Sequence, residues 1–259
     1  MRFSLPVSAY MTTELDAIGV EASLDEVALL LERRRISAVP LLAGDGTVVG
    51  VLSRSDLLRA GRLTAGRGGA IEALVLPPRS AGSLIARTPV VCEARTPLRE
   101  AARMMLEHRV HRLFVVDAGR PFGVISTLDL TRAVRDARVA LPVAEIMSAP
   151  VTTIAYTASI SAAAELLDRT RWTSLVVADE RWPIGMLGQA ELLAARALPA
   201  DTRVDDVMDP AVICVPGRTS VHHAAALASS LDVRRVLVSV DHDLAGIVSG
   251  LDFANVVAT

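Results

Sequence analysis

Apolar residues recur along the chain at the spacing of one buried helix face, and this spacing occurs four times. Each stripe follows the i, i+3, i+4, i+7 rule, which places its members on one side of an α-helix. The stripes are Leu24/Val27/Ala28/Leu31, Leu98/Ala101/Ala102/Met105, Ile160/Ala163/Ala164/Leu167 and Val221/Ala224/Ala225/Ala228. Ser23 and Glu26 have the spacing of a capping box at the start of the first helix. We therefore predict four amphipathic helices, each with one face in a core.

A short apolar strand follows each stripe, at 39–42, 113–116, 175–177 and 236–238. A polar turn follows each strand, and after it the same ten-residue pattern recurs. The pattern is two variable residues, Gly, two apolar residues, a small residue, two variable residues, an acid and an apolar residue. The acids are Asp56, Asp129, Glu191 and Asp252, which are 73, 62 and 61 positions apart (129−56, 191−129, 252−191). The pattern predicts an α+β unit of strand, helix, strand, strand and helix, repeated four times.

The spacing of the acids sets the expected boundaries. We place repeat 1 at 1–60, repeat 2 at 81–141, repeat 3 at 142–199 and repeat 4 at 200–259. The extra residues 61–80 are predicted to be a linker, because Gly66 to Gly69 is rich in glycine and Pro77-Pro78 favours a stiff extended segment.

Composition narrows the range of partners. The net charge of −2 and an aromatic content of 3% give no reason to expect binding to nucleic acid or to an anionic membrane. Uninterrupted apolar runs fall short of the roughly 18–20 residues of a spanning helix, and the first residues lack the apolar region of a secretory signal. We interpret Cys92 and Cys214 as small buried thiols in a reducing compartment, and we expect a cytoplasmic protein.

Units of this length, with a Gly-x-x-Ser-x-x-Asp junction between strand and helix, resemble CBS domains. The segment 108–117, His-Arg-Val-His-Arg-Leu-Phe-Val-Val-Asp, is similar to the phosphate-contacting stretch of the regulatory γ subunit of AMP-activated protein kinase. The resemblance implies two Bateman modules, each a pair of repeats, at about 1–141 and 142–259, together forming a disc.

The resemblance also implies a role for the acid of the junction. Asp56, Asp129 and Asp252 would accept hydrogen bonds from ribose hydroxyls. The residues beside them at the same junctions are Ser53, Ser126, Thr127 and Ser249. An equally complete structural interpretation exists, because a Ser before a helix and an acid three residues later form a cap. Repeat 3 has Gly188 and Glu191 instead, so we expect its ribose site to be empty or weak.

Two basic pairs, His111-Arg112 and Arg234-Arg235, occupy matching places in repeats 2 and 4, where the first helix gives way to the second strand. Arg offers a planar fork of donors to phosphate oxygens, and His can add a further donor. A solvated helix end is the alternative, since cations complement the helix dipole there. Repeats 1 and 3 have small neutral residues at these positions.

The expected function is regulatory binding of an adenine nucleotide, AMP, ADP or ATP, without catalysis and without a cofactor or metal. Two alternatives stay open: a scaffold whose Ser-x-x-Asp junctions only cap helices, and a protein that binds S-adenosylmethionine. The basic pairs disfavour the second alternative, because the sulfonium end of that ligand is cationic and has no phosphate. A target protein and self-association into a dimer are further candidate partners.

Overall fold

The fold repeats one pattern four times. A computed structural model of the chain describes residues 3–65, 71–85, 89–170, 172–241 and 243–259, and it leaves the side chains of 62–65 and 71–74 undescribed. Each repeat has a three-stranded sheet in which the first strand pairs parallel with the second, and the second pairs antiparallel with the third. The predicted order of strand, helix, strand, strand and helix is confirmed in every repeat.

The secondary-structure elements have the following bounds. Repeat 1 contains β1 (Ile18–Gly19), α1 (Leu24–Arg33), β2 (Ala38–Leu42), β3 (Val48–Ser53) and α2 (Arg54–Ala60). Repeat 2 contains β6 (Val91–Cys92), α3 (Leu98–Glu107), β7 (Arg112–Asp117), β8 (Arg120–Ser126) and α4 (Thr127–Asp136). Repeat 3 contains β9 (Thr153–Ala155), α5 (Ile160–Thr170), β10 (Ser174–Asp179), β11 (Trp182–Gly188) and α6 (Gln189–Ala194). Repeat 4 contains β12 (Cys214–Pro216), α7 (Val221–Ser230), β13 (Arg235–Val240), β14 (Asp243–Ser249) and α8 (Gly250–Ala258).

The segment predicted to be a linker contains secondary structure of its own. Its strands β4 (Arg62–Ala65) and β5 (Ile71–Val75) pair antiparallel, and β5 lies beside the 3₁₀ turn Ala195–Ala197 of repeat 3. The glycine-rich stretch from Gly66 to Gly69 lies outside the described residues.

The helix stripes account for the cores. All the predicted stripe residues are buried except Ala164, which is half-buried. The capping box at Ser23 is also confirmed, because the Ser23 backbone N–H donates to Glu26 at 2.7 Å and the Glu26 N–H donates to the Ser23 hydroxyl at 3.2 Å.

The two cysteines differ in exposure. Cys92 is buried, and burial raises the pKa of its thiol to about 11, with a further contribution from Glu100. Cys214 is exposed, so the expectation of two buried thiols is wrong for this residue. In the short strand β12 only the central residue, Val215, is buried, and Cys214 lies on the outward side.

The repeats group into two compact units that do not follow the order of the chain. Unit 1 comprises residues 1–15, 89–151 and 213–259, which contain the sheets and helices of repeats 2 and 4. Unit 2 comprises residues 16–88 and 152–212, which contain those of repeats 1 and 3. The compact units therefore cut across the two repeat pairs, 1–141 and 142–259, that were expected as Bateman modules. The reason is packing between helices: α3 and α4 pack against α7 and α8 in unit 1, and α2 packs against α6 in unit 2.

A short leading segment precedes each sheet, and it packs on a different repeat from the one it leads into. Residues 3–15 lie on repeat 2, where Thr12 bridges Val124 of β8. In the same way, residues 80–85 lie on repeat 1, residues 142–151 on repeat 4 and residues 203–209 on repeat 3. Repeats 1 and 2 thus exchange leading segments, as do repeats 3 and 4.

Candidate functional site

The predicted Ser-x-x-Asp junctions form capping boxes in the structure. In repeat 2 the backbone N–H and the hydroxyl of Ser126 donate to Asp129 Oδ2 at 2.8 and 2.6 Å. In repeat 4 the same groups of Ser249 donate to Asp252 Oδ2 at 2.6 and 2.7 Å. Ser53 and Asp56 repeat the arrangement in repeat 1. The structural interpretation of these residues is therefore confirmed, while contact with a sugar stays a prediction.

The second carboxylate oxygen distinguishes the three aspartates. Oδ1 of Asp129 accepts from the Arg132 guanidinium at 2.8 Å, and this side chain is only 6% exposed. Oδ1 of Asp56 accepts from Arg59 at 3.2 Å, and its side chain is 35% exposed. Asp129 is thus the less accessible of these two carboxylates to a sugar hydroxyl, although repeat 2 carries both the acid and a basic pair.

Asp252 has a partner that the local sequence does not reveal. Its Oδ1 accepts from the Ser148 hydroxyl at 2.9 Å, and Ser148 belongs to the leading segment 142–151. The segment reaches this place because Ser148 bridges Ile247 of β14. A hydroxyl and a half-buried carboxylate oxygen therefore lie together at the start of α8, where both could contact the hydroxyls of a sugar.

The basic pairs occupy equivalent positions beside these junctions. Arg112 begins β7 and pairs across the hairpin with Ser126, as Arg235 begins β13 and pairs with Ser249. The Thr127 N–H donates to the His111 carbonyl at 2.9 Å, which fixes His111 against the first turn of α4. The basic residues of repeats 2 and 4 thus lie at the same position relative to the serine that caps the following helix.

Electrostatics shows that the basic residues of the two repeats converge within unit 1. The pKa of His111 falls to about 4, first because the imidazole is buried and then because Arg235, Arg112 and Arg234 repel its proton. Two of these guanidinium groups come from repeat 4 and one from repeat 2. We call His111, Arg112, Arg234 and Arg235 the basic cluster. His111 is neutral near pH 7, so the positive charge of the cluster resides on arginine.

The helices α4 and α8 meet beside this cluster. A Cβ added at Gly250 would lie 2.7 Å from Thr127 Cβ, so the two helix starts are in contact. The cavity between them, with Thr127, Arg234 and Phe253 in its walls, holds about 10 Å³, less than one water needs. An anion at the basic cluster would therefore not fit in this cavity.

The corresponding positions of unit 2 are neutral. Ala38 pairs with Ser53 in repeat 1, and Ser174 pairs with Gly188 in repeat 3. The Ser174 hydroxyl is enclosed and, among the residues that the structure describes, has no hydrogen-bond partner. Glu191 accepts from the Gly188 N–H at 2.8 Å and closes the cap of α6 without a serine. These features agree with the expected weakness of a ribose site at Glu191 but do not test it.

Sequence reasoning missed a larger cavity in unit 2. It measures about 430 Å³ and lies among α1, the start of α2 and α6. Its walls include Glu32, Arg54, Glu191, Leu193, Leu198 and Val207. A usable signal was the small side chains of α6, since Ala190 and Ala194 also line the cavity.

Four stretches of the chain match the family model of the CBS domain: residues 7–62, 81–136, 143–198 and 204–259. Together with four copies of one α+β unit, they define a tandem CBS-domain protein. The chain belongs to the CBS domain family.

Particular relatives share half of the chain or the whole fold. The CBS domain-containing protein CBSX1, chloroplastic, of Arabidopsis thaliana is 29% identical over 150 residues, which cover 49% of this chain and 63% of that protein. The chain thus spans less than two thirds of the length of this relative. Protein MJ1225 from Methanocaldococcus jannaschii has the same fold, with a TM-score of 0.83 at 13% identity over 97% of this chain and 99% of that one. An uncharacterized conserved protein from Pyrococcus horikoshii aligns over 98% of this chain and 100% of its own, with a TM-score of 0.67 at 20% identity.

The helices are too short or too polar to cross a membrane in the parts of the chain that the structure describes.

Proposed function

We propose that the protein is a regulatory module without catalysis of its own, which binds an adenine nucleotide (AMP, ADP or ATP) in unit 1. The observation that carries this proposal is the convergence of Arg112, Arg234 and Arg235 on His111. The three arginines lower the pKa of His111, and the same positive potential would favour a bound polyanion.

The groups around the cluster suit a phosphate. Guanidinium groups bind phosphate oxygens through two parallel hydrogen bonds. The neutral imidazole of His111 has one N–H to donate and repels no cation. The first turns of α4 and α8 add the partial positive charge of helix starts beside the arginines.

The sugar is proposed to lie on repeat 4. Asp252 is half-buried and shares its Oδ1 with the Ser148 hydroxyl, whereas Asp129 is nearly enclosed and is held by Arg132. A ribose hydroxyl can donate to Asp252 and accept from Ser148 when the Ser148 hydroxyl turns from Asp252 to the sugar, which breaks one hydrogen bond but no ion pair. We therefore rank Asp252 above Asp129 as the ribose ligand, with Asp56 of unit 2 as a separate candidate.

Substitution at the basic cluster tests the phosphate contact. Arg112→Ala should weaken binding of AMP, ADP or ATP by about 1.5–3 kcal/mol, which is a tenfold to hundredfold rise in Kd, if a charge-assisted bond is lost. Isothermal titration calorimetry of the wild type and the variant gives this number. Arg95→Ala is the matched control, because Arg95 is an exposed arginine whose guanidinium pairs with Glu93. Adenosine, which has no phosphate, should bind both proteins alike. Equal nucleotide affinity in the wild type and Arg112→Ala would refute the assignment.

A scaffold without a ligand is the second candidate function, and the completed capping boxes favour it. A ligand that binds only the native state raises the unfolding temperature as its concentration rises. Thermal unfolding with AMP, ADP and ATP therefore separates the two functions: a dose-dependent rise supports nucleotide binding, and an unchanged midpoint with all three supports the scaffold.

A further inference from the structure

The cavity of unit 2 is a feature that nucleotide binding in unit 1 does not use. Its volume of about 430 Å³ lies within the roughly 300–1,000 Å³ of small-molecule sites. All its described wall residues belong to unit 2: they come from repeats 1 and 3, whose junctions lack the basic pairs, and, with Val207, from the leading segment 203–209 that packs on repeat 3.

Small residues of α6 line the cavity of unit 2. Aligning the junctions of repeats 2 and 3 places Ala190 at the position of Leu128 and Ala194 at the position of Arg132. The corresponding helix α4 of unit 1 carries these two longer side chains, and the cavity bordered by Leu128 holds about 10 Å³. Shorter side chains at these two positions of α6 thus accompany the larger cavity.

The polar groups at the cavity carry both signs of charge. Glu32 and Glu191 contribute carboxylates, and Arg54 contributes a guanidinium that donates to the Leu31 carbonyl at 3.3 Å. Arg196 approaches Glu32 to 3.7 Å, which is longer than a hydrogen bond, and the Glu32 side chain is 52% exposed. Two acids and one arginine thus line the cavity, with Arg196 beside Glu32, and neither an anion nor a cation alone would be matched.

The remaining walls are apolar. Leu193 is buried in the core, while Leu198 is 42% exposed and Val207 is half-buried. Burying such surface under a ligand removes apolar area from water. The occupant should therefore have an apolar body and a head that carries one positive and one negative charge.

We infer that this cavity binds an α-amino acid with an apolar side chain. Its ammonium group would face Glu32 and Glu191, its carboxylate would face Arg54, and its side chain would cover Leu198 and Val207. The site is separate from the basic cluster, so the protein would respond to two chemically different ligands.

Calorimetry on the full chain with L-leucine, L-methionine and L-phenylalanine tests the inference. At least one should bind, whereas 4-methylpentanoate, which lacks the amine, and 3-methylbutylamine, which lacks the carboxylate, should bind at least tenfold more weakly. Failure of all three amino acids to bind at millimolar concentration would overturn the inference. Equal binding of the amine or of the acid would also overturn it, because a zwitterion would not be required.

Filling the cavity locates the site. Ala194 is exposed at the end of α6, so Ala194→Leu should fold normally and raise the Kd for the amino acid at least tenfold. Ala162→Leu is the matched control, since Ala162 is an exposed alanine on α5 of the same unit. Glu32→Gln should also weaken binding, while AMP, ADP or ATP should bind all three variants as they bind the wild type. Unchanged amino-acid affinity in Ala194→Leu would overturn the assignment to this cavity.

Discussion

At the scale of single residues, His111 is the group whose ionisation the fold changes most clearly. Its pKa of about 4 compares with about 6.5 in an unfolded chain, and burial followed by repulsion from Arg235, Arg112 and Arg234 causes the fall. The folded state therefore disfavours the protonated imidazole. The stability contributed by neutral His111 is fully present above about pH 6.5 and is lost as the pH falls from 6.5 towards 4.

We predict that the wild type loses about 2 kcal/mol more stability than His111→Gln between pH 7.5 and pH 5. Glutamine does not titrate, so the difference between the two proteins removes the contribution of other groups. Urea unfolding of both proteins at each pH gives the four free energies that are needed. If the two proteins lose stability in parallel, His111 does not have the lowered pKa.

The sequence made part of the candidate site predictable. The basic pairs and the serine caps recur at fixed places in the repeat, so their local arrangement follows from the pattern. Two contacts could not be predicted. Ser148 meets Asp252 across 104 positions of the chain, and Arg132 pairs with Asp129 through a choice of side-chain rotamer. Neither the packing of a leading segment nor a rotamer is encoded in a local motif.

At the scale of helices and strands, the contact between α4 and α8 depends on the absence of one side chain. Gly250 is the first residue of α8, and a Cβ there would meet the Thr127 hydroxyl and, at 2.7 Å, Thr127 Cβ. Threonine is branched at Cβ and cannot turn away freely. Glycine therefore permits the two helix starts to approach beside the basic cluster.

Replacing this glycine should be costly. We predict that Gly250→Ala destabilises the protein by about 1–3 kcal/mol through overpacking, although alanine is the better helix former. Gly44→Ala is the control, because an added Cβ at Gly44 meets nothing within 4 Å. The double variant Thr127→Gly/Gly250→Ala should lose less stability than the sum of its single variants. Chemical denaturation measures the wild type, the three single variants and the double variant, and additive losses would show that the contact does not limit packing.

At the scale of the whole chain, each compact unit is assembled from distant parts of the sequence. The core of unit 1 joins Leu98 and Met105 of repeat 2 to Val221 and Phe253 of repeat 4. The repeat pattern predicted the four copies correctly, but it did not predict which copies pack together. Four similar helix pairs present similar apolar faces, so the choice of partner depends on side-chain fit and not on the periodicity of the sequence.

Cutting the chain between Leu141 and Pro142 should leave apolar helix faces uncovered in both halves. We predict that the fragments 1–141 and 142–259, produced separately, self-associate, and that mixing them yields a 1:1 complex. Each fragment carries half of the core of each unit, so association buries the surface that the cut exposes. Size-exclusion chromatography with light scattering reports the masses. Two monomeric fragments with native helix content and no tendency to combine would contradict this arrangement.

The exchange of leading segments limits which repeats can be gained or lost without leaving a leading segment unpaired. Removing repeat 2 alone would take away residues 80–85, which pack on repeat 1, and it would leave residues 3–15 with no sheet to join. Removing repeats 1 and 2 together leaves both leading segments of repeats 3 and 4 packed on the repeats that hold them. The exchange therefore favours gain or loss of repeats in twos, with a second copy of the remaining pair covering the helix faces that the lost pair leaves exposed, and an odd number of repeats should be rare among viable descendants of this protein.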